Sequence, residues 1–307
     1  MSSKIPADRK KRVDQLGYDY AAQPKQTLGR CNLCDDPKLV TVTHSDRYGY
    51  PASASACTRC GFTFLNPVMT RDAYGDFYAR IYRPLVSAYH NRLINAQTIQ
   101  DEQKEYAERL AVFLNPWLDA TRHKSMLDIG GSTGVVAMEL ARRFPLKMAV
   151  LDPAADELDW AVRAGVETIA GFLEDYDPGD RQFDVVILCQ TIDHFLDATG
   201  SLKKIRKLLA PGGVFFVDIV DFRAAYLRNA SIEEAVKIDH PYYFTEDTAE
   251  AMLARTGFEV RQKNYSPDHL HVGYICSPGT PRPETVPDSQ HVREFFRELR
   301  FIQNARR

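Results

Sequence analysis

Four cysteines near the start of the chain are spaced as metal ligands. They form two Cys-x-x-Cys pairs, Cys31 with Cys34 and Cys57 with Cys60, with twenty-two residues between the pairs. Each pair aims both sulfurs to one side of a tight turn, so two pairs can surround one ion in a tetrahedron. Because four thiolates leave no open coordination position, the sequence predicts a structural Zn²⁺ site. The alternative is four free thiols.

A second group of residues is typical of a binding site for a polar ligand. An apolar strand ends at Asp128 and is followed by a turn of small residues, Gly130, Gly131, Ser132 and Gly134. A helix that opens at such a turn presents unpaired N–H groups and the positive end of its dipole. Asp152 ends the next apolar run, 24 residues after Asp128. Its carboxylate is placed to accept hydrogen bonds from both hydroxyls of a ribose.

Two histidines are candidates for a general base, because imidazole can take up a proton near neutral pH. His240 lies in an aromatic segment and is the first choice for the base, while the nearby Tyr242 is expected to bind or orient the substrate. His194 follows a buried apolar run and is the second choice. Alternatively, His194 only packs against or caps the following helix.

From residue 124 onward the pattern alternates between apolar strands and amphipathic helices, which favours an α/β fold with a parallel sheet. After the strand that ends at Asp128, the predicted strands are 147–152, 167–170, 183–189, 214–219, 258–265 and 270–276. The predicted helices are 135–144, 156–164, 198–209 and 245–257. The last two strands are close enough for a hairpin, so we expect a Rossmann-like, doubly wound sheet with an antiparallel terminal strand.

The remaining segments are assigned by composition and periodicity. Five apolar residues fall at helical spacing and are expected to pack in a core or, alternatively, to cover a neighbouring active site: Tyr74, Phe77, Tyr78, Ile81 and Tyr82. A further helix is predicted at 93–113. The predicted parts are a polar N-terminal arm (1–29), a zinc ribbon (30–66), a helical lid or linker (67–123), the α/β domain (124–277), and a proline-rich linker with a basic helix (278–307).

The charge and the apolar runs of the chain bear on its partners and its location. A net charge of −2 and a sequence pI of about 6.5 give no reason to expect a polyanion as the main partner. No apolar run approaches the ~20 residues needed to span a bilayer, and the N-terminus lacks the apolar core of a signal peptide. The sequence therefore predicts a cytoplasmic protein that does not act on membranes. It disfavours nucleic acid as a partner and leaves the oligomeric state open.

Residues 125–277 resemble a class I S-adenosylmethionine-dependent methyltransferase. The resemblance rests on the motif Asp128-x-Gly130-x-x-x-Gly134, on Asp152, and on Pro211-Gly212-Gly213 before a late strand.

The cysteine ribbon, with Gly61-Phe62 and Asn66-Pro67 after it, is similar to a bacterial subgroup that carries an N-terminal zinc-binding module. That subgroup includes sugar C-methyltransferases and methyltransferases of polysaccharide and natural-product pathways. Its histidine-and-aromatic segment, which the loop around His240 resembles, contributes to the acceptor site.

The resemblance implies S-adenosylmethionine as the cofactor, with Phe172 and Leu173 at the adenine and Cys189 and Gln190 beside the transferable methyl group. The implied cofactor-binding residues are Asp128, Gly130, Gly131, Ser132, Gly134, Asp152, Pro153, Phe172, Leu173, Cys189 and Gln190. The family usually has glycine at position 132. We expect the serine to be tolerated, because it can adopt a turn conformation and form a local hydrogen bond. A nicotinamide-binding fold needs Gly-x-Gly-x-x-Gly, which this turn does not contain.

The expected function is methyl transfer to a small polar acceptor, such as a nucleotide-linked sugar or a pathway intermediate, with a histidine base. One alternative is an RNA methyltransferase that grips its substrate with the zinc ribbon. The charged residues between the cysteine pairs count against RNA binding because acids outnumber bases: Lys38 and Arg47 against Asp35, Asp36 and Asp46. Another alternative is a zinc-ribbon interaction protein without enzymatic activity, for which Ser132 is the only support.

Overall fold

The computed structural model describes residues 5–305, so the ends of the predicted N-terminal arm and C-terminal helix lie outside the described residues. The helices are α1 (Ala7–Asp14), α2 (Arg71–Arg80), α3 (Tyr82–His90), α4 (Gln100–Leu114), α5 (Val135–Arg143), α6 (Ala155–Arg163), α7 (Ala198–Leu208), α8 (Phe222–Asn229), α9 (Glu246–Thr256) and α10 (Ser289–Ala305). The strands are β1 (Lys25–Gln26), β2 (Leu39–Thr43), β3 (Ala54–Cys57), β4 (Thr63–Leu65), β5 (Val68–Met69), β6 (Ser125–Ile129), β7 (Lys147–Asp152), β8 (Glu167–Ala170), β9 (Phe183–Leu188), β10 (Leu209–Val220), β11 (Tyr242–Tyr243), β12 (Phe258–Tyr265) and β13 (His271–Pro278).

A seven-stranded sheet forms the centre of the second half of the chain. Its order is β12-β13-β10-β9-β6-β7-β8. Strands β8, β7, β6, β9 and β10 are parallel, whereas β13 runs antiparallel to both β10 and β12. The prediction of a doubly wound α/β sheet with an antiparallel terminal hairpin is therefore confirmed. Strand β7 lies on one side of β6 and β9 lies on the other, so the strand order reverses at β6. Ligands of such sheets bind at the carboxyl ends of the strands where this reversal occurs.

Helices cover both faces of this sheet, as the apolar runs of its strands require. Along β9, Val185 and Ile187 belong to a cluster with residues of α4 and α5. The alternate residues Val186 and Leu188 belong to a cluster with residues of α7 and α9. This alternation shows that both faces of β9 are buried under helices.

Two predicted boundaries are wrong. The helix predicted at 93–113 begins only at Gln100, because the Asn95 side chain accepts hydrogen bonds from the N–H groups of Gln97 and Thr98 and holds a turn there. The strand predicted at 214–219 begins earlier, because β10 starts at Leu209 and includes Pro211; its register with β9 shifts between Leu209 and Val214.

The cysteine-containing segment forms a second sheet, in the order β11-β4-β3-β2. Residues 39–43, between the two cysteine pairs, form β2. The edge strand β11 comes from the loop that follows His240, and Tyr242 pairs with Phe64 of β4. The backbone N–H of Leu65 also donates to Pro241 O at 2.8 Å. The ribbon thus shares a sheet with the segment that carries one of the two candidate bases.

The N-terminal and C-terminal helices pack against this second sheet and its neighbours. Helix α1 contributes the buried Val13, and α10 contributes Phe295, Leu299 and Ile302 to the same cluster. The polar side of α10 is held by Glu298, which accepts hydrogen bonds from Arg223 and Tyr226. No helix among residues 5–305 is long and apolar enough to cross a membrane.

Candidate active site

A cavity of about 560 Å³ lies at the carboxyl ends of β6, β7 and β9 and is closed on its other side by helices α2, α3 and α4. Most of the predicted cofactor residues line it: Asp128, Gly130, Gly131, Ser132, Asp152, Pro153, Phe172, Leu173, Cys189 and Gln190. His194 lines it as well, whereas Gly134, His240 and Tyr242 do not. The fold therefore brings most of the predicted residues to one concave surface.

The glycines of the turn after β6 are required by close packing. Gly130 has a φ of +73°, and a Cβ atom there would lie 2.5 Å from the side chain of Thr191. A Cβ at Gly131 would lie 2.6 Å from the Asp128 carboxylate. Gly134 lies outside the cavity wall, and a Cβ there would lie 2.7 Å from Ala161 of α6. Gly134 therefore lets α5 and α6 pack together.

Ser132 has a φ of +50°, a left-handed conformation that glycine adopts more readily than other residues. Its N–H donates to Asp152 Oδ2 at 2.8 Å. Its hydroxyl donates to Glu157, which is also held by Arg83 through two contacts of 2.9 Å. The serine thus has the local hydrogen bond that the sequence analysis expected, and its side chain is tied to α6 and α3.

Asp128 is a buried carboxylate that has no hydrogen-bond partner among residues 5–305. It is 0% exposed, and neither of its oxygens accepts a hydrogen bond from a described residue. Burial, together with the charge of Asp152, raises the pKa of Asp128 to about 7. Burial likewise raises the pKa of Asp152 to about 6. An ammonium group in the cavity would supply the missing partner, as the cationic amine of S-adenosylmethionine would.

Two further polar residues of the site were not found from the sequence. Asp218 of β10 accepts hydrogen bonds from the Gln190 N–H at 2.5 Å and from the Tyr106 hydroxyl at 2.9 Å. Burial raises the pKa of Asp218 to about 7. This pair holds Gln190 at a φ of +51°, where its side chain borders the cavity. The signal in the sequence that could have revealed this pair is Asp218 itself, a carboxylate inside an otherwise apolar strand.

His194 faces the cavity next to a tyrosine from the helical segment. Its Nδ1 lies 2.7 Å from the hydroxyl of Tyr78, and that hydroxyl donates to the carbonyl oxygen of Asp239 at 2.8 Å. Its Nε2 is 3.9 Å from Asp193 Oδ1. Burial lowers the pKa of His194 to about 4, so the imidazole is neutral near pH 7.

His240 lies behind His194, with 4.6 Å between the ring centroids, and both of its ring nitrogens are engaged. Nδ1 is 2.5 Å from Asp193 Oδ2. Nε2 is 3.3 Å from Asp239 Oδ2 and 3.3 Å from Lys237 Nζ. Burial alone would raise the pKa of Asp193, but the adjacent His240 and His194 hold it below its usual range.

Tyr242 is directed into the ribbon and not toward the cavity. Its ring stacks on Phe62 with centroids 5.3 Å apart, and its hydroxyl donates to Leu196 O at 2.7 Å. The predicted contact of Tyr242 with a substrate therefore has no geometric support. In this arrangement Tyr242 connects the ribbon to the segment that follows His194.

The four predicted metal ligands converge in the ribbon. The sulfurs of Cys31 and Cys60 are 3.6 Å apart, and those of Cys34 and Cys57 are 3.5 Å apart. All four sulfurs lie within 4.8 Å of one another. Tetrahedral zinc with bonds of about 2.3 Å separates its sulfurs by about 3.8 Å, so this cluster has the size that the ion requires.

Comparison with known proteins agrees with this geometry. A family model described as a methyltransferase domain matches residues 99–263, which is 165 of the 307 residues. No curated protein matches the chain.

Among solved structures, TnmH aligns with a TM-score of 0.50 at 17% identity, over 67% of this chain and 61% of its own. The CcbJ methyltransferase from Streptomyces caelestis aligns with a TM-score of 0.46 at 16% identity, over 57% of this chain and 90% of its own. At these identities the likeness concerns the fold alone.

Proposed function

Because the chain belongs to the methyltransferase domain family, we propose that it transfers the methyl group of S-adenosylmethionine to a small polar acceptor bound between the sheet edge and helices α2–α4. The observation that carries this proposal is the buried, unpartnered carboxylate of Asp128 beside the glycine turn. The family membership also leaves the non-enzymatic alternative without support.

The residues of the cavity fit the cofactor in a definite order. Asp128 would pair with its ammonium group, and Asp152 would accept its ribose hydroxyls. Phe172 and Leu173 would border the adenine, while Gln190 would lie near the sulfonium. When bound, the cofactor supplies an electrophilic methyl group, so the chain's own task is to orient the acceptor and take up its proton.

We assign the base to His194 and not to His240, which the sequence analysis ranked first. His194 borders the cavity and is neutral near pH 7. His240 is outside the cavity wall, and its nitrogens already contact Asp193, Asp239 and Lys237. In a neutral ring, Nδ1 must donate to the Asp193 carboxylate, so the one lone pair is on Nε2, which faces Lys237 Nζ. This nitrogen cannot accept a substrate proton without first losing that partner. His240 would instead hold Asp193 beside His194.

The wall of the cavity opposite the sheet supports a polar acceptor. It carries aromatic and cationic side chains from α3, α4 and the turn between them, namely Tyr82, His90, Arg92, Tyr106 and Arg109. Such a surface can stack on a ring and donate hydrogen bonds to oxygen. A nucleotide-linked sugar or an intermediate of polysaccharide or natural-product synthesis fits this description.

The cysteine cluster is proposed to hold one structural Zn²⁺. The zinc would stabilise the ribbon, and the ribbon in turn contacts both segments that carry candidate bases. Asn32, between two of the ligands, bonds to Asp197 and Thr199 just after His194. Strand β4, just after the second pair, bonds to the loop after His240.

The test combines binding and turnover. Calorimetry should detect binding of S-adenosylmethionine to the wild-type chain, and turnover should be sought on a panel of sugar nucleotides and metabolites with labelled methyl donor. We expect His194→Gln to keep cofactor affinity and to lower turnover about 100-fold or more, whereas His240→Gln should have a smaller effect. No cofactor binding at millimolar concentration contradicts the whole proposal, and full turnover of His194→Gln contradicts the choice of base.

A further inference from the structure

The hydroxyl of Tyr78 occupies a position from which it controls the proton of His194. It contacts two acceptor-capable atoms at once, His194 Nδ1 at 2.7 Å and Asp239 O at 2.8 Å. Tyr78 comes from α2, far from both partners along the chain, and lines the same cavity as His194. Burial raises the pKa of Tyr78 well above its usual value, so the hydroxyl keeps its proton.

Only one placement of the protons satisfies both contacts of the Tyr78 hydroxyl. A carbonyl oxygen can only accept, so the single proton of Tyr78 points to Asp239 O. The tyrosine oxygen then has only lone pairs left for His194, and a short contact between two lone pairs would be repulsive. Nδ1 of His194 must therefore carry the proton and donate it to Tyr78. Since the imidazole is neutral, Nε2 is without a proton.

We propose that Tyr78 is a positioning residue that fixes His194 in the Nδ1–H tautomer and so leaves Nε2 as the proton acceptor of the methyl-transfer reaction. This inference rests on the proposed role of His194 as the base. It assigns to α2, which the sequence analysis regarded chiefly as core, a part in preparing the catalytic histidine.

In the proposed step, proton transfer to His194 accompanies methyl transfer to the acceptor. The acceptor's bond to hydrogen breaks as Nε2 takes the proton, and the electron pair of the acceptor atom forms the bond to the methyl carbon. The electrons of the carbon–sulfur bond return to sulfur, and His194 becomes an imidazolium that later releases its proton to solvent. Asp193 Oδ1, at 3.9 Å from Nε2, faces the new charge. The other groups that face His194 are Tyr78, Tyr82, Lys237, Asp239 and His240.

The tautomer can be measured directly in the full-length protein. Long-range proton–nitrogen NMR spectra of histidine-labelled protein distinguish protonated from unprotonated ring nitrogens, and His194→Gln identifies the resonances of His194. At pH 7 we expect Nδ1 protonated and Nε2 unprotonated in the wild type. Tyr78→Phe keeps the ring and removes both hydrogen bonds. We expect it to give a mixture of tautomers, and to lower kcat about 10- to 100-fold with unchanged cofactor affinity.

Tyr82→Phe is the matched control. The Tyr82 ring also packs edge-on against His194, with centroids 6.4 Å apart, but its hydroxyl makes no hydrogen bond to a described residue. This variant should leave the tautomer of His194 unchanged.

The outcomes separate the two proposals. A protonated Nε2 in the wild type, or an unchanged tautomer in Tyr78→Phe, overturns the role of Tyr78 whatever the activity. The expected tautomer together with full turnover of His194→Gln leaves the hydrogen-bond assignment intact and removes the base.

Discussion

The two sides of the cavity are built in different ways. The cofactor side is made of strand ends and tight turns within residues 128–190, and its residues are positioned by one parallel sheet. The acceptor side combines α2–α4 with residues 194–196, and the loop before β11 lies behind it. These segments are far apart in the chain, and the ribbon binds two of them. The cofactor side is therefore formed largely by one continuous part of the chain, whereas the acceptor side depends on contacts between distant segments.

If the cofactor side and the acceptor side are separable, loss of the metal should disturb the acceptor side and leave the cofactor side intact. We expect Cys57→Ser, or removal of zinc by a chelator, to loosen the ribbon and with it the segments after His194 and His240. Turnover should fall more than about 100-fold, because the binding free energy of structural zinc is also folding free energy. Affinity for S-adenosylmethionine should stay within about threefold, because the hydrogen bonds of Ser132 in the turn after β6 go to β7, α6 and α3 and not to the ribbon. Calorimetry, turnover and metal analysis measure the three quantities.

Cys276→Ala is the control for this prediction. Cys276 is buried in β13 and lies outside the cysteine cluster, so its removal should leave the zinc content unchanged. Equal losses of cofactor binding and turnover in Cys57→Ser would mean that the ribbon supports the whole molecule and that the two sides are not separable.

The same contrast explains what the sequence could predict. The strand 147–152, the turn at 128–134 and the four cysteines were found because each is a local pattern with a physical cause. The sequence could not indicate which of the two histidines is the better candidate for the base. His240 occupies the more suggestive sequence segment, but only the folded chain shows that Asp193 and Lys237 occupy its nitrogens.

Residues whose roles depend on contacts with distant parts of the chain gave weaker signals in the sequence. Tyr78 had a helical apolar spacing, which indicates core packing just as well as a place in the site. Its contacts with His194 and Asp239 span 116 and 161 residues. No spacing rule within one helix predicts such a contact.

The cofactor side can be tested through the titration of Asp128. Burial raises its pKa to about 7, and pairing with an ammonium requires the charged form. Cofactor binding should therefore be about tenfold weaker at pH 6 than at pH 8, since a proton must be displaced at the lower pH. Calorimetry across this range measures the slope, and Asp128→Asn should bind weakly with little dependence on pH.

The stability of the ligand-free protein should change in the opposite direction. A carboxyl group whose pKa is raised in the folded state favours the fold at low pH, and this contribution is lost as the pH rises from about 4 to about 7. Asp128→Asn should lack that part of the decline in urea unfolding. A wild-type affinity that does not change between pH 6 and pH 8 would contradict the pairing of Asp128 with the ammonium group.

The smallest expected effect concerns Ser132, the one departure from the family's turn. Its φ of +50° costs a non-glycine residue roughly 1 kcal/mol, and its hydrogen bond to Glu157 offsets that cost by about the same amount. Ser132→Gly removes both, so we expect a change in unfolding free energy within about 1 kcal/mol. Ser132→Ala loses the bond but keeps the strain and should be destabilised by about 1 kcal/mol or more. Both variants keep the N–H bond to Asp152, so cofactor affinity should stay within about threefold. If Ser132→Gly instead binds S-adenosylmethionine more than tenfold tighter, the serine side chain obstructs the cofactor and the turn has been weakened as a binding site.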